Sequence, residues 1–270
     1  MDRLNARGVQ LEYEVHGSGE PVLLIHGAHI ADAMLPLVDE PTLDGFRLIR
    51  YHRRGFAGSD HPSGPTSIGQ QAADAACVLD GLGLDRTHVV GHSLGAVIAL
   101  EFAARHPQRV LSLSLLEPAV LSGPAGAIFA EHVAPLVELY HNGEPTTAVD
   151  RFVALAGHPG SPETVEARVP GSIAQARADA TTFFEIELPA LAAWSFGPDR
   201  AAAITCPVLS VLGTDTAPLF VEGRQHLHSW FDECHDADIA GATHLLQLDQ
   251  PRQVAEAIAS HCATIVAGTA

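Results

Sequence analysis

Apolar residues follow two alternating rhythms along this chain. The stretch VQLEYEV (9–15) alternates apolar and polar positions, the period of a strand buried on one face. PVLLIH (21–26) is a continuous apolar run, expected of a strand covered on both faces. Further strands are predicted at 46–52, 87–92, 109–118, 207–213 and 235–241. Between them the spacing turns helical. The segment 67–84 stops at glycines, 95–106 is closed by Pro107, and 250–262 has a proline near its start.

Strand and helix in alternation imply an α/β fold, with a mostly parallel sheet and helices on both faces. The rhythm breaks between residues 119 and 203, where the chain is rich in Ala, Pro and Gly and offers no convincing strand. We read 119–203 as a helical cap inserted into a core domain made of 1–118 and 204–270. Its aromatic residues Phe129, Phe152, Phe183, Phe184, Trp194 and Phe196 are available to line a cleft or to hold the cap together.

Composition narrows the function. The chain has 270 residues, 47% of them apolar, which suits one large domain with a substantial core. A formal charge of −17 argues against a nucleic-acid partner, since phosphate neutralisation needs clustered Lys and Arg. The four cysteines (Cys77, Cys206, Cys234, Cys262) form no C-x-x-C pair, so no zinc or redox motif is expected, and unpaired thiols are. No signal-peptide core or membrane-length apolar run occurs, and a soluble cytoplasmic protein is expected. Most of the sixteen histidines are expected at the surface.

One motif carries chemistry. Ser93 stands in Gly91-His92-Ser93-Leu94-Gly95, where a strand becomes a helix. The pentapeptide alone says little, but in this setting it predicts a sharp turn that lifts a nucleophile clear of the sheet. Glycines on either side let strand and helix approach closely. The Leu94 N–H, at the start of the helix, is expected to donate to a developing oxyanion, with the Ala28 N–H of His26-Gly27-Ala28-His29 as second donor. A structural hydrogen bond is expected of His26. A serine hydroxyl needs a general base. His244, between the last strand and the last helix, is the only histidine in that setting. A carboxylate must orient that base, and Asp215 lies just beyond the strand at 207–213.

These segments resemble those of the α/β-hydrolase fold superfamily, in particular its cap-bearing serine esterases, lactonases and C–C-bond hydrolases. LLIHGAH resembles the oxyanion loop, YHRRGFAGSD (51–60) the D-x-R-G-x-G-x-S segment, VVGHSLG the nucleophile elbow, and PVLSVLGTD and GATHLLQLDQP the acid and base segments. The resemblance implies an eight-stranded sheet. His52 stands where aspartate is usual. Thr216 stands at the place where many relatives carry their acid, and Glu117, at the end of the strand at 109–118, stands where some relatives keep theirs; Asp215 ranks first and Glu117 is the alternative acid. Serine excludes the aspartate-nucleophile routes of dehalogenases and epoxide hydrolases. The expectation is a serine hydrolase cleaving a small or medium apolar ester, thioester or lactone through an acyl-enzyme. It needs no cofactor or metal, takes a small-molecule substrate, binds neither nucleic acid nor membrane, and is a monomer or homodimer. A ligand receptor, or a cofactor-free lyase, cyclase or acyltransferase of the same fold, is the alternative.

Overall fold

Alternation at period two explains the two-sided core. In β3 (Glu20–Ile25), Leu23 and Ile25 pack into one buried cluster, while Val22 and Leu24 pack into another across the sheet. β5 (Thr87–His92) divides likewise, with Val89 on the first side and Val90 on the second. The first cluster is closed by α1 (Ile68–Gly81) and α2 (Leu94–Arg105), the second by α8 (Pro251–Gly268). Ser67 and Gln70 form a reciprocal capping box that starts α1. The computed structural model describes residues 1–268.

The remaining strands are β1 (Asp2–Ala6), β2 (Val9–His16), β4 (Phe46–Tyr51), β6 (Val110–Leu116), β7 (Val208–Gly213) and β8 (Cys234–Ile239). All eight form one sheet in the order β1-β2-β4-β3-β5-β6-β7-β8. Pairing is antiparallel for β1·β2 and β2·β4 and parallel from β4 to β8. β1 is absent from the hydrophobic pattern. Its sequence DRLNA is mostly polar because it is an edge strand, with only Ala6 fully buried. A two-residue turn at Arg7-Gly8, both at positive φ (56° and 94°), folds it back on β2.

Between β6 and β7 the chain runs through α3 (Pro124–His141), α4 (Pro145–Ala156), α5 (Ser161–Arg168) and α6 (Ser172–Ala178), then a π-helical stretch at Thr182–Glu187. Val149, Val153, Val165, Ile173, Phe183 and Phe184 build a third apolar cluster there. The last part of the segment behaves differently. Leu191, Trp194, Phe196 and Ala201 pack against the cluster beneath α2, and Trp194 Nε1–H and Arg200 Nη2 both donate to the buried Glu101 (2.9 and 2.7 Å). α7 (Pro218–Trp230) follows β7.

His52 faces a carboxylate at each ring nitrogen, Glu12 at Nδ1 and Asp32 at Nε2, both at 3.0 Å. The imidazole bridges two acids at the place where the family pattern has one. Seven of the sixteen histidines are buried, more than the sequence predicts. The reason is local: His26, His92 and His244 are held in bonded networks, and His29 sits among aromatic rings. The four cysteines are unpaired. Among the described residues, no helix is long and apolar enough to cross a membrane.

Candidate active site

The turn after β5 is as sharp as the glycine spacing predicts. Ser93 has φ 56° and ψ −121°, a conformation that a side chain rarely adopts and that surrounding packing must hold. A Cβ on Gly91 would lie less than 3.0 Å from the Gly95 carbonyl and Ala96 Cα. One on Gly95 would lie equally close to the carbonyls of Ile25 and His26. Strand and helix therefore meet through bare backbone. The Ser93 N–H donates to Leu116 O (2.9 Å), tying the turn to the end of β6.

That tie sets the neighbours of Ser93. His92 pairs in register with Leu116, so the next residues, Ser93 and Glu117, leave adjacent strand ends together. Glu117 is also at positive φ (49°) and is wholly buried. Ser93 Oγ–H donates to His244 Nε2 (2.9 Å), and His244 Nδ1–H donates to Glu117 Oε2 (2.6 Å). The Gly213 N–H donates to Glu117 Oε1 (2.7 Å) and the Thr216 hydroxyl to Oε2 (2.8 Å). Hydroxyl, imidazole and carboxylate thus form one hydrogen-bonded line.

Asp215, ranked first from sequence, does not join that line. It is exposed; its N–H donates to Ala242 O (2.9 Å) and its carboxylate accepts from the Thr214 hydroxyl (3.3 Å). The carboxylate facing His244 is that of Glu117. Thr216, at the place where the family pattern has its acid, supplies a hydroxyl to that carboxylate instead. The sequence signals for this exchange are the spacing beyond Gly213 and the place of Glu117 at a strand end.

Burial pushes the Glu117 carboxyl up, against the pull of the Gly213 N–H and the Thr216 hydroxyl. Burial likewise holds His244 below the ordinary imidazole range, so its Nε2 lone pair is available to accept a proton. Three residues with no sequence signal of their own fix the ring. Phe220 stacks on it, with centroids 3.7 Å apart and planes 4° off parallel. His92 Nε2–H donates to the His244 carbonyl (2.8 Å), and the Gln247 amide donates to His92 Nδ1 (3.1 Å).

Gly27, in the loop after β3, packs against Ser93: a Cβ there would come 3.0 Å from the Ser93 Cβ. Among the described residues, neither the Ala28 N–H nor the Leu94 N–H donates to a protein acceptor. His26 Nδ1–H donates to Gly27 O (2.8 Å), and its Nε2 accepts from the Arg53 N–H (3.0 Å), a structural role.

Ser93 and His244 open into a cleft of about 230 Å³, lined by Ala119, Phe129, Phe152, Ala156, Leu219 and Phe220 among others. Among the described residues, its polar lining consists of Ser93, His132 and His244. Of the six aromatics singled out from sequence, Phe129 and Phe152 reach the cleft. Phe183 and Phe184 pack with His29, and Trp194 and Phe196 pack near Glu101.

A family profile described as alpha/beta hydrolase fold matches residues 20–145. The chain is 35% identical over 143 residues to the dihydrolipoyllysine-residue acetyltransferase component of the acetoin cleaving system of Cupriavidus necator, covering 49% of this chain and 38% of that protein. It is 33% identical over 135 residues to a 2-hydroxy-6-oxo-6-phenylhexa-2,4-dienoate hydrolase of Comamonas testosteroni, covering 47% of this chain and 43% of that one. The match thus spans less than half the length of either curated relative. Among solved structures, a thermophilic esterase from Thermogutta terrifontis superposes with a TM-score of 0.80 at 23% identity, over 98% of this chain and 99% of the esterase.

Proposed function

We propose that this chain, which has the α/β-hydrolase fold, is a serine hydrolase acting on an apolar acyl ester, thioester or lactone. One observation carries this reading: the unbroken hydrogen-bonded line from Glu117 through His244 to Ser93, ending at a strained turn that opens into a cleft.

Ser93 Oγ attacks the substrate carbonyl carbon while His244 Nε2 takes its proton. The imidazolium that forms faces the Glu117 carboxylate, which stabilises it and keeps the ring in place. The N–H groups of Ala28 and Leu94 donate to the tetrahedral oxyanion. His244 then returns the proton to the leaving group, leaving an acyl-enzyme. Water, deprotonated by the same nitrogen, releases the acid and restores the hydroxyl. Within the segment 119–203, helices α3 to α6 serve as a cap whose Phe129 and Phe152 form the acyl wall. The apolar lining favours an uncharged acyl chain, since burying a charge there without a partner is costly.

Labelling with a fluorophosphonate probe, read by mass spectrometry at Ser93 beside turnover of p-nitrophenyl butyrate, tests the reading. Labelling at Ser93 together with turnover is expected, and both lost in Ser93→Ala and His244→Ala. An unlabelled Ser93 and a folded protein without turnover would set it aside. The similarity to an acetyltransferase component supports one variant, release of the acyl group to an acceptor other than water. Faster product formation on adding alcohols or thiols would identify it.

A further inference from the structure

Arg53 lies in the loop after β4, and 1% of it is exposed. Its Nε–H donates to His26 O (3.0 Å) and its Nη2 to Gly27 O (2.7 Å). Nη1 donates to Gln71, on α1, and to Glu187, at the end of the π-helical stretch between β6 and β7. Nη2 also reaches Glu187 (3.3 Å). Glu187 and Gln71 are as deeply buried as Arg53. A guanidinium is a planar fork of donors, so it holds several acceptors at fixed angles in a way that a lysine does not.

The Gly27 carbonyl and the Ala28 N–H belong to the same peptide unit. That unit is planar and trans, so its oxygen and hydrogen point in opposite directions. Arg53 Nη2 and His26 Nδ1 both grip the oxygen. The plane can no longer turn, and the Ala28 N–H stays on the side away from the guanidinium, with Gly27 packed on Ser93. We propose that Arg53, held by Glu187, is a positioning residue that aims the Ala28 N–H as an oxyanion donor and ties it to the helical segment covering the site. The proposal rests on the hydrolase reading above.

The ion pair thereby joins two functions in one contact. Glu187 follows Phe183 and Phe184, which pack in the same apolar cluster as the cleft-lining Phe152. A shift of that segment would move Glu187, release Arg53 and let the Gly27–Ala28 peptide rotate. Oxyanion stabilisation therefore depends on the segment being seated.

Arg53→Met and Glu187→Gln, with p-nitrophenyl butyrate as substrate, test this. Active sites are counted by fluorophosphonate labelling, so that kcat refers to competent serines. Loss of an oxyanion donor removes an interaction made only in the transition state. The expected outcome is a kcat lower by about a hundredfold in Arg53→Met and about tenfold in Glu187→Gln, with KM within about threefold. The inhibition constant of a trifluoromethyl ketone, which forms a tetrahedral adduct on the serine, should rise by the same factors. Arg53→Lys is expected to recover only part of the loss. If Arg53→Met does not fold, Glu187→Gln decides. A kcat per labelled site and a ketone affinity within threefold of wild type in folded Glu187→Gln overturn the proposal. A wild-type protein that neither labels nor turns over sinks the parent reading instead.

Discussion

The carboxylate of Glu117 lies 2.6 Å from His244 Nδ1, and it reaches there from β6, one strand nearer to Ser93 than the loop that carries Asp215. Replacing Glu117 should therefore cost far more than replacing Asp215. Glu117→Gln is expected to lower kcat by about 10³–10⁴-fold, through a misplaced tautomer and an unstabilised imidazolium. Asp215→Asn should stay within about twofold, since that side chain is exposed. Steady-state kinetics on p-nitrophenyl butyrate compare the two, and the reverse ranking would return the role to Asp215.

The pH profile follows from the same pair. In the proposed mechanism, turnover needs an unprotonated His244 Nε2 beside an ionised Glu117. One added proton, wherever it settles, ends that state, so the pair titrates as a unit. Burial raises the Glu117 carboxyl to about 7 and opposes protonation of His244. The sign is then fixed: kcat/KM should fall as pH drops through about 7 and level off above it. Rates for an uncharged ester between pH 5 and 9 check this, and a profile flat down to pH 5 would contradict it.

Gly95 should tolerate no side chain. A methyl group there meets two backbone carbonyls, of Ile25 and His26, which cannot rotate away. Gly95→Ala is expected to destabilise the fold by about 3 kcal/mol and to lower activity by displacing the loop after β3. Thermal unfolding beside kcat measures both effects. A variant with wild-type stability would show that the loop after β3 yields more easily than its packing suggests.

Ala156 lines the cleft beside Phe152. Ala156→Phe should fill part of the proposed acyl site without touching Ser93. The expected result is a drop of about tenfold or more in kcat/KM for butyrate relative to acetate, the size of effect that a few methylenes carry in an apolar pocket. An unchanged acetate-to-butyrate ratio would place the acyl chain elsewhere.

Much of this architecture is local information. The continuous apolar run of β3 and the all-apolar start of α2 are legible because burial on every side demands them. The Gly91/Gly95 spacing announces a turn that only bare backbone can make, and the setting of His244 follows from chain order. β1 escaped because an edge strand has one ladder and little burial, so polar residues suffice. The choice of acid was beyond the sequence. Glu117 and Asp215 both follow strands that end at one rim, and which carboxylate turns inward depends on register: His92 beside Leu116 delivers Glu117 to His244, and the Thr216 hydroxyl donates to that carboxylate. The hold of Arg53 on Gly27 and Glu187 is likewise tertiary. Its partners lie 26 and 134 residues away, and no periodicity links positions that far apart.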